Sequence, residues 1–269
     1  MITIALDAGH YKYTPGKRCS KSLDPNETRE WTLNDRVARY LEFALNEYDD
    51  CSVIRVDDRT GENDTPLATR ASTANSAKAS YFISIHHNAG INGGTGGGIV
   101  IYTTKNPNAT RTQLQKEVYS NVIEHTGLKG NRATPLAQEN HTVTYRASMP
   151  AVLCELGYMD SATDVPIILT EEFAIEAAIG ISDALIQIAG LKKKQNTIEL
   201  VDSARRYDTI DEVPLYARDI IQMLINRKII QGFGKTDANG NPIDMDLSLD
   251  MIRMLCFNQK AGLYQEYKT

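Results

Sequence analysis

Only five histidines occur in the 269 residues, and two of them, His10 and His86, stand where short apolar runs finish. Ile2-Thr-Ile-Ala-Leu6 leads into Asp7-Ala-Gly-His10, and Tyr81-Phe-Ile-Ser-Ile85 leads into His86. A third run, Ala151-Val-Leu-Cys154, finishes at Glu155. Imidazoles and carboxylates gathered this way are the parts of a hydrolytic metal site. A catalytic zinc takes three protein ligands and keeps a fourth position open. A further carboxylate, outside the ligand set, then handles the proton of the attacking water. His10 and His86 are candidate ligands. Glu30 opens a helical stretch and could complete the set, and Glu155 is placed for the proton-handling role. Asp24 and Glu27, in the loop before Glu30, are alternative carboxylates. His125 and His141 lack partners at metal spacing and are read as non-ligands.

The elements that must position these residues follow from periodicity. Leu33, Val37, Leu41 and Leu45 recur every fourth residue, which predicts an amphipathic helix from Glu30 to about Tyr48. Short apolar runs at 2–6, 51–56, 81–85, 99–102 and 151–155 predict buried strands, and helices are expected over 67–79, 109–126 and 171–189. Residues 11–28, rich in Gly, Pro, Ser and Asn, read as loop. Strands alternating with helices imply an α/β domain with a mostly parallel sheet flanked by helices. Sites in such sheets form beyond the carboxyl ends of the strands, which gathers His10, His86 and Glu155 on one edge. The Gly93–Gly98 run lacks the Lys-Ser/Thr ending of a phosphate loop and reads as a flexible rim. His87 should face away from His86, since side chains alternate along a strand. Arg70 and Asn75 read as structural, and Tyr145 and Arg146 as possible cleft-lining residues.

Composition removes several classes. Hydrophobic residues make up 42% and charged residues 23%, an ordinary globular balance. A net charge of −5 argues against a nucleic-acid binder, which needs a basic stripe. No apolar run reaches the roughly 20 residues that span a bilayer, so no membrane partner is expected. Four scattered cysteines, Cys19, Cys51, Cys154 and Cys256, give neither a zinc ribbon nor a disulfide scaffold. Cys51 and Cys154 read as small buried hydrophobes.

Five segments in order carry a resemblance: Asp7-Ala-Gly-His10; Glu30-Trp-Thr-Leu-Asn34; Leu67-Ala-Thr-Arg70 with Ala74-Asn75; Phe82-Ile-Ser-Ile-His86-His-Asn88-Ala89; and Pro150-Ala-Val-Leu-Cys-Glu155-Leu-Gly-Tyr158. Together they resemble the zinc-dependent N-acetylmuramoyl-L-alanine amidases of the amidase-3 type, over about residues 1–190. The resemblance implies one Zn2+ held by His10, Glu30 and His86, with Glu155 catalytic. It implies cleavage of the amide between N-acetylmuramic acid and L-alanine in bacterial peptidoglycan. A zinc peptidase cutting the stem peptide and a non-enzymatic wall-binding module are the alternatives.

Past residue 190 the pattern changes. The basic stretch Lys192–Lys194 reads as the start of a linker over 191–203, followed by a small helical domain over 204–269. Ala217, Ile220, Ile221, Leu224 and Ile225 form one apolar stripe, Asn239-Gly-Asn-Pro242 a turn, and Leu249, Ile252, Arg253 and Cys256 a second helical spacing. The region resembles a single S-layer-homology repeat. That implies binding to a secondary wall polymer, with homodimerisation a route to avidity. Met1–Asp7 has no signal-peptide pattern. The expectation is a phage or prophage endolysin, held in the cytoplasm until lysis.

Overall fold

Ile4, Ala5, Leu6 and Ala8 are all fully buried, so the first strand, β1 (Ile2–Ala8), has both faces covered. That is the signature of a central strand in a helix-flanked sheet. In the computed structural model, which describes residues 1–194, 206–213, 215–248, 251, 252 and 255, the chain divides into two units, Met1–Lys194 and Gln195–Thr269.

In the first unit β1 is followed by α1 (Glu30–Leu45), β2 (Tyr48–Asp49), β3 (Cys51–Arg55), α2 (Leu67–Ser76), β4 (Tyr81–Asn88) and β5 (Ile99–Thr103). Then come α3 (Ala109–Thr126), β6 (Leu136–Gln138), α4 (Thr142–Arg146), β7 (Ala151–Tyr158), α5 (Val165–Ile168), α6 (Glu171–Ala189) and β8 (Lys192–Lys193). Six strands form one sheet in the order β3-β1-β4-β7-β5-β6. All neighbours are parallel except β5 and β7, which are antiparallel. The domain is therefore α/β, with a mostly parallel sheet flanked by helices.

Helix boundaries follow local chemistry. Asn108 and Thr170 cap α3 and α6 by accepting the backbone N–H of Arg111 and Phe173. Gly127 and Gly190 end the same helices in the left-handed conformation. α2 and α4 pack together over a cluster that includes Ala5, Ala74, Phe82, Val143 and Leu153. α6 packs on both α1 and α3, which in turn lie against the sheet.

Several details differ from the periodicity reading. β4 and β7 run on to Asn88 and Tyr158, so His86 and Glu155 lie inside strands rather than at their ends. The α1 helix stops at Leu45, because Tyr48 and Asp49 pair antiparallel with Lys193 and Lys192. Lys194 donates its backbone N–H to the Glu47 carbonyl at 2.8 Å. The basic stretch read as the start of a linker thus closes a two-stranded pairing on the first unit. The short elements β6, α4 and α5 have too few residues to show a period.

The second unit contains β9 (Arg206–Tyr207), α7 (Leu215–Asn226) and β10 (Leu247–Ser248), with β9 and β10 antiparallel. Ala217, Ile221, Leu224 and Ile225 of the expected stripe are buried with Tyr207, Val213, Met245 and Leu247. The expected turn forms where Gly240 N–H donates to the Asp237 carbonyl. The two-stranded pairing was not visible in a pattern of helical spacings. Leu249, Arg253 and Cys256 lie outside the described residues.

Candidate metal centre and active site

Strand register builds half of the site. His86 on β4 stands directly opposite Glu155 on β7, and residues in parallel register project to the same face. β1 delivers the other half. Gly9, just past its end, leads into His10, whose backbone lies in the left-handed region, with φ 66°. Such a conformation is uncommon outside glycine and must be held from outside.

Arg70 holds it. This side chain is fully buried and forks into the end of β1. It donates to Asp7 Oδ1 at 2.7 Å, to the Ala8 carbonyl at 3.0 Å and to the His10 carbonyl at 3.0 Å. Asp7 Oδ2 accepts from Ser84 Oγ at 2.6 Å, tying β1 to β4. Gly9 leaves room for His86: a Cβ there would lie 2.1 Å from an imidazole carbon.

Glu30, the first residue of α1, reaches both histidines. Its Oε1 lies 3.3 Å from His10 Nε2 and 3.1 Å from His86 Nδ1, and accepts the His87 backbone N–H at 3.2 Å. Oε2 is buried without a hydrogen-bond partner, with Lys17 Nζ at 3.6 Å. One ligand atom from each of His10, Glu30 and His86 falls within 4.8 Å of the others. Two imidazoles and a carboxylate form a donor set suited to zinc. Glu30 Oε2, ion-paired with Lys17 but without a hydrogen bond, is an acceptor that a cation would satisfy, so the residues present fit a metal.

The two buried carboxylates are pushed in opposite directions. Burial pushes Glu30 up, but the hydrogen bonds and charge of His10 and His86 outweigh it and hold the carboxyl well below its usual range. Burial pushes Glu155 up to about 7; His86 opposes that, the Glu30 charge adds to it, and Lys17 opposes it. Glu155 Oε2 is likewise buried without a partner.

The other candidates are elsewhere. Asp24 accepts the backbone N–H groups of Asn26 and Thr28 within its own loop, and Glu27 pairs with Arg18. The structure thus brings Glu30, and neither of the alternatives, to the two histidines. His87 is buried on the opposite side of β4, where Nδ1 meets Asn34 Oδ1 at 2.8 Å, and burial pushes it down to about 3. Asn34 in turn donates to the Gly9 carbonyl. Asn75 bonds the Arg146 carbonyl and Ser148, a structural use. Cys154 is a fully buried free thiol, pushed far up by burial, and is no nucleophile at neutral pH. His125 bridges Glu176 and Asp183 away from this group. Beside the centre lies a cavity of about 430 Å³, its wall including Asp64, Pro66, Leu67 and the Asn140–Val143 stretch as well as His10 and His86. Tyr145 and Arg146 are not among its lining residues. The periodicity reading had no signal for the Asn140–Val143 stretch, because α4 reaches the cleft only through tertiary packing.

An α/β domain in which α1 and the central strands bring together a His–Glu–His group and a second buried carboxylate defines a candidate metal-dependent hydrolase. The family is more specific: residues 4–187 match amidase-3, described as N-acetylmuramoyl-L-alanine amidase, and the chain belongs to it. It is 32% identical over 198 residues to the sporulation-specific N-acetylmuramoyl-L-alanine amidase of Bacillus subtilis, covering 73% of this chain and 72% of that protein. It is also 32% identical over 133 residues to the endolysin of Bacillus phage SPP1, covering 48% and 47%. The crystal structure of an N-acetylmuramoyl-L-alanine amidase from Clostridium difficile 630 superposes with a TM-score of 0.63 at 25% identity, over 70% of this chain and 97% of that one.

Proposed function

We propose that the first unit is a zinc-dependent amidase that hydrolyses the bond between N-acetylmuramic acid and L-alanine in peptidoglycan. The observation that carries this reading is the convergence of His10, Glu30 and His86 beside the unpartnered Glu155, in a chain of the amidase-3 family. His10, Glu30 and His86 would hold the ion. A zinc bound there supplies Lewis-acid polarisation of a carbonyl and acidifies water towards a pKa of about 7. Glu155 then takes the proton of the attacking water and delivers it to the leaving nitrogen of L-alanine. A carboxylate that burial raises above its ordinary range while a neighbouring cation favours its charged form can serve both halves of that task. Arg70 and Asn34 hold the end of β1 that leads to His10, and Gly9 leaves room for the His86 ring.

Digestion of purified peptidoglycan, followed by mass spectrometry, tests the bond assigned. New free L-alanine amino ends are expected; new ends within the stem would identify a peptidase instead. Chelation should abolish hydrolysis and added zinc should restore it.

The biological setting proposed is wall lysis of the endolysin kind, which the likeness to the phage SPP1 protein supports. The likeness to a sporulation-specific amidase marks the competing setting. Among the described residues, no helix is long and apolar enough to cross a membrane. For the second unit we propose a wall-polymer tether, joined to the amidase by the intervening chain. Its separate buried cluster around Ile221 and Leu224 supports an independent module.

A further inference from the structure

A third imidazole shares the cleft without joining the metal group. His141 precedes α4 and lines the same cavity as His10 and His86. Its backbone is fixed on both sides: the N–H donates to the Glu139 carbonyl at 3.0 Å, and its carbonyl accepts from Tyr145 N–H at 2.8 Å and Thr144 Oγ1 at 3.2 Å. The ring is packed edge-on against Tyr102, with centroids 4.9 Å apart and planes at 88°. Its Nε2 is buried and has no hydrogen-bond partner. Glu139 Oε2, at 4.0 Å, is beyond hydrogen-bond reach.

A buried polar atom left unpaired is costly, and native proteins leave few of them. Here the atom belongs to a pre-positioned ring that lines a cleft beside the reacting groups and keeps 30% of its side-chain surface exposed. A neutral imidazole offers one donor and one acceptor, so it can meet either a carbonyl or an N–H. Val143 and Leu153 supply apolar surface in the same cavity. That mixture of an apolar lining and a few fixed polar groups is how small-molecule sites orient their ligands.

We propose that His141 is a substrate-binding residue, whose ring hydrogen-bonds a carbonyl or amide N–H of the muramyl peptide next to the scissile bond. The inference rests on the amidase reading and adds a specificity contact to it.

The test uses the full chain loaded with zinc and the soluble substrate N-acetylmuramoyl-L-alanyl-D-isoglutamine. His141→Phe keeps a ring against Tyr102 but removes both ring nitrogens; His141→Gln restores a hydrogen-bonding group. His141→Phe should keep zinc content and melting temperature while raising KM roughly tenfold, the scale of one lost hydrogen bond. His141→Gln should recover part of that loss. Kd for the same compound, measured in Glu155→Gln protein with and without His141→Phe, should rise by the same factor. In unmodified protein the 15N shifts of the His141 ring should move when the compound is added, which keeps the test open if both variants misfold. Unchanged KM and Kd in His141→Phe, loss of zinc from it, or an unmoved ring signal would each overturn the proposal. Wild-type protein that binds the compound without cutting its muramyl amide would sink the amidase reading alone, and the Kd comparison would still decide His141. Failure to bind it at all would overturn both.

Discussion

Glu30 and Glu155 show how position divides the labour of two like side chains. Both are carboxylates with one buried oxygen that has no hydrogen bond, yet Glu30 sits against two imidazoles and Glu155 does not. Environments that push paired carboxyl groups apart in pKa mark acid–base assignments. Glu155→Gln should therefore keep stoichiometric zinc while hydrolysis falls about 10²–10⁴-fold; a variant that retained wild-type turnover would end the assignment. The proton balance gives a second outcome. In metal-free protein the raised Glu155 value favours the neutral form, so its contribution to stability is present below the ordinary carboxyl range and is lost as pH rises through about 7. Metal-free Glu155→Gln should thus gain melting temperature relative to wild type between pH 5 and pH 8, and a constant difference across that range would contradict it. A bound cation favours the carboxylate, so zinc should shrink this gain.

At the scale of elements, the site depends on how the ends of β1 and β4 are locked together. Arg70, Asp7 and Ser84 form a buried linkage in which Arg70 also donates to the Ala8 and His10 carbonyls and reaches Asp64 at 3.4 Å. Arg70→Met would leave Asp7 buried without its cation, which typically costs about 3–5 kcal/mol. Denaturant unfolding should show that loss, and a change under 1 kcal/mol would mean the β1 turn is held by other contacts. Gly9→Ala is the steric counterpart. Because a Cβ would collide with the His86 ring, zinc affinity in a chelator competition should fall tenfold or more, as disturbed support of metal ligands commonly does. Unchanged affinity would show that His86 has another seat.

These supports explain what the sequence could and could not disclose. The strands carrying His10, His86 and Glu155 were legible because buried parallel strands are continuous apolar runs. α1 was legible because Leu33, Val37 and Leu41 keep helical spacing. That Arg70 reaches the His10 carbonyl across 60 residues has no local signature. Nor does the arrival of Asn140–Val143 at the cleft, since a five-residue helix shows no period. The pairing of Lys192–Lys193 with Tyr48–Asp49 was hidden for another reason: a lysine run has the composition of a linker, and only its distant partner makes it a strand.

That pairing decides where the whole molecule should be divided. Residues 1–190 would omit β8 and its bonds to the segment after α1, whereas residues 1–194 keep them. If the second unit tethers the enzyme to the wall, its contribution is local concentration and not chemistry. Residues 1–194 alone should then fold and cleave soluble muramyl peptides at the full-length rate, but should solubilise intact walls more slowly. The deficit should shrink as enzyme concentration rises, because a tether is redundant once the surface is saturated. Equal losses on both substrates would point to a stabilising cap, and no loss on walls would remove the targeting role. The comparison to run is full-length protein against residues 1–194, on both substrates, across a range of enzyme concentrations.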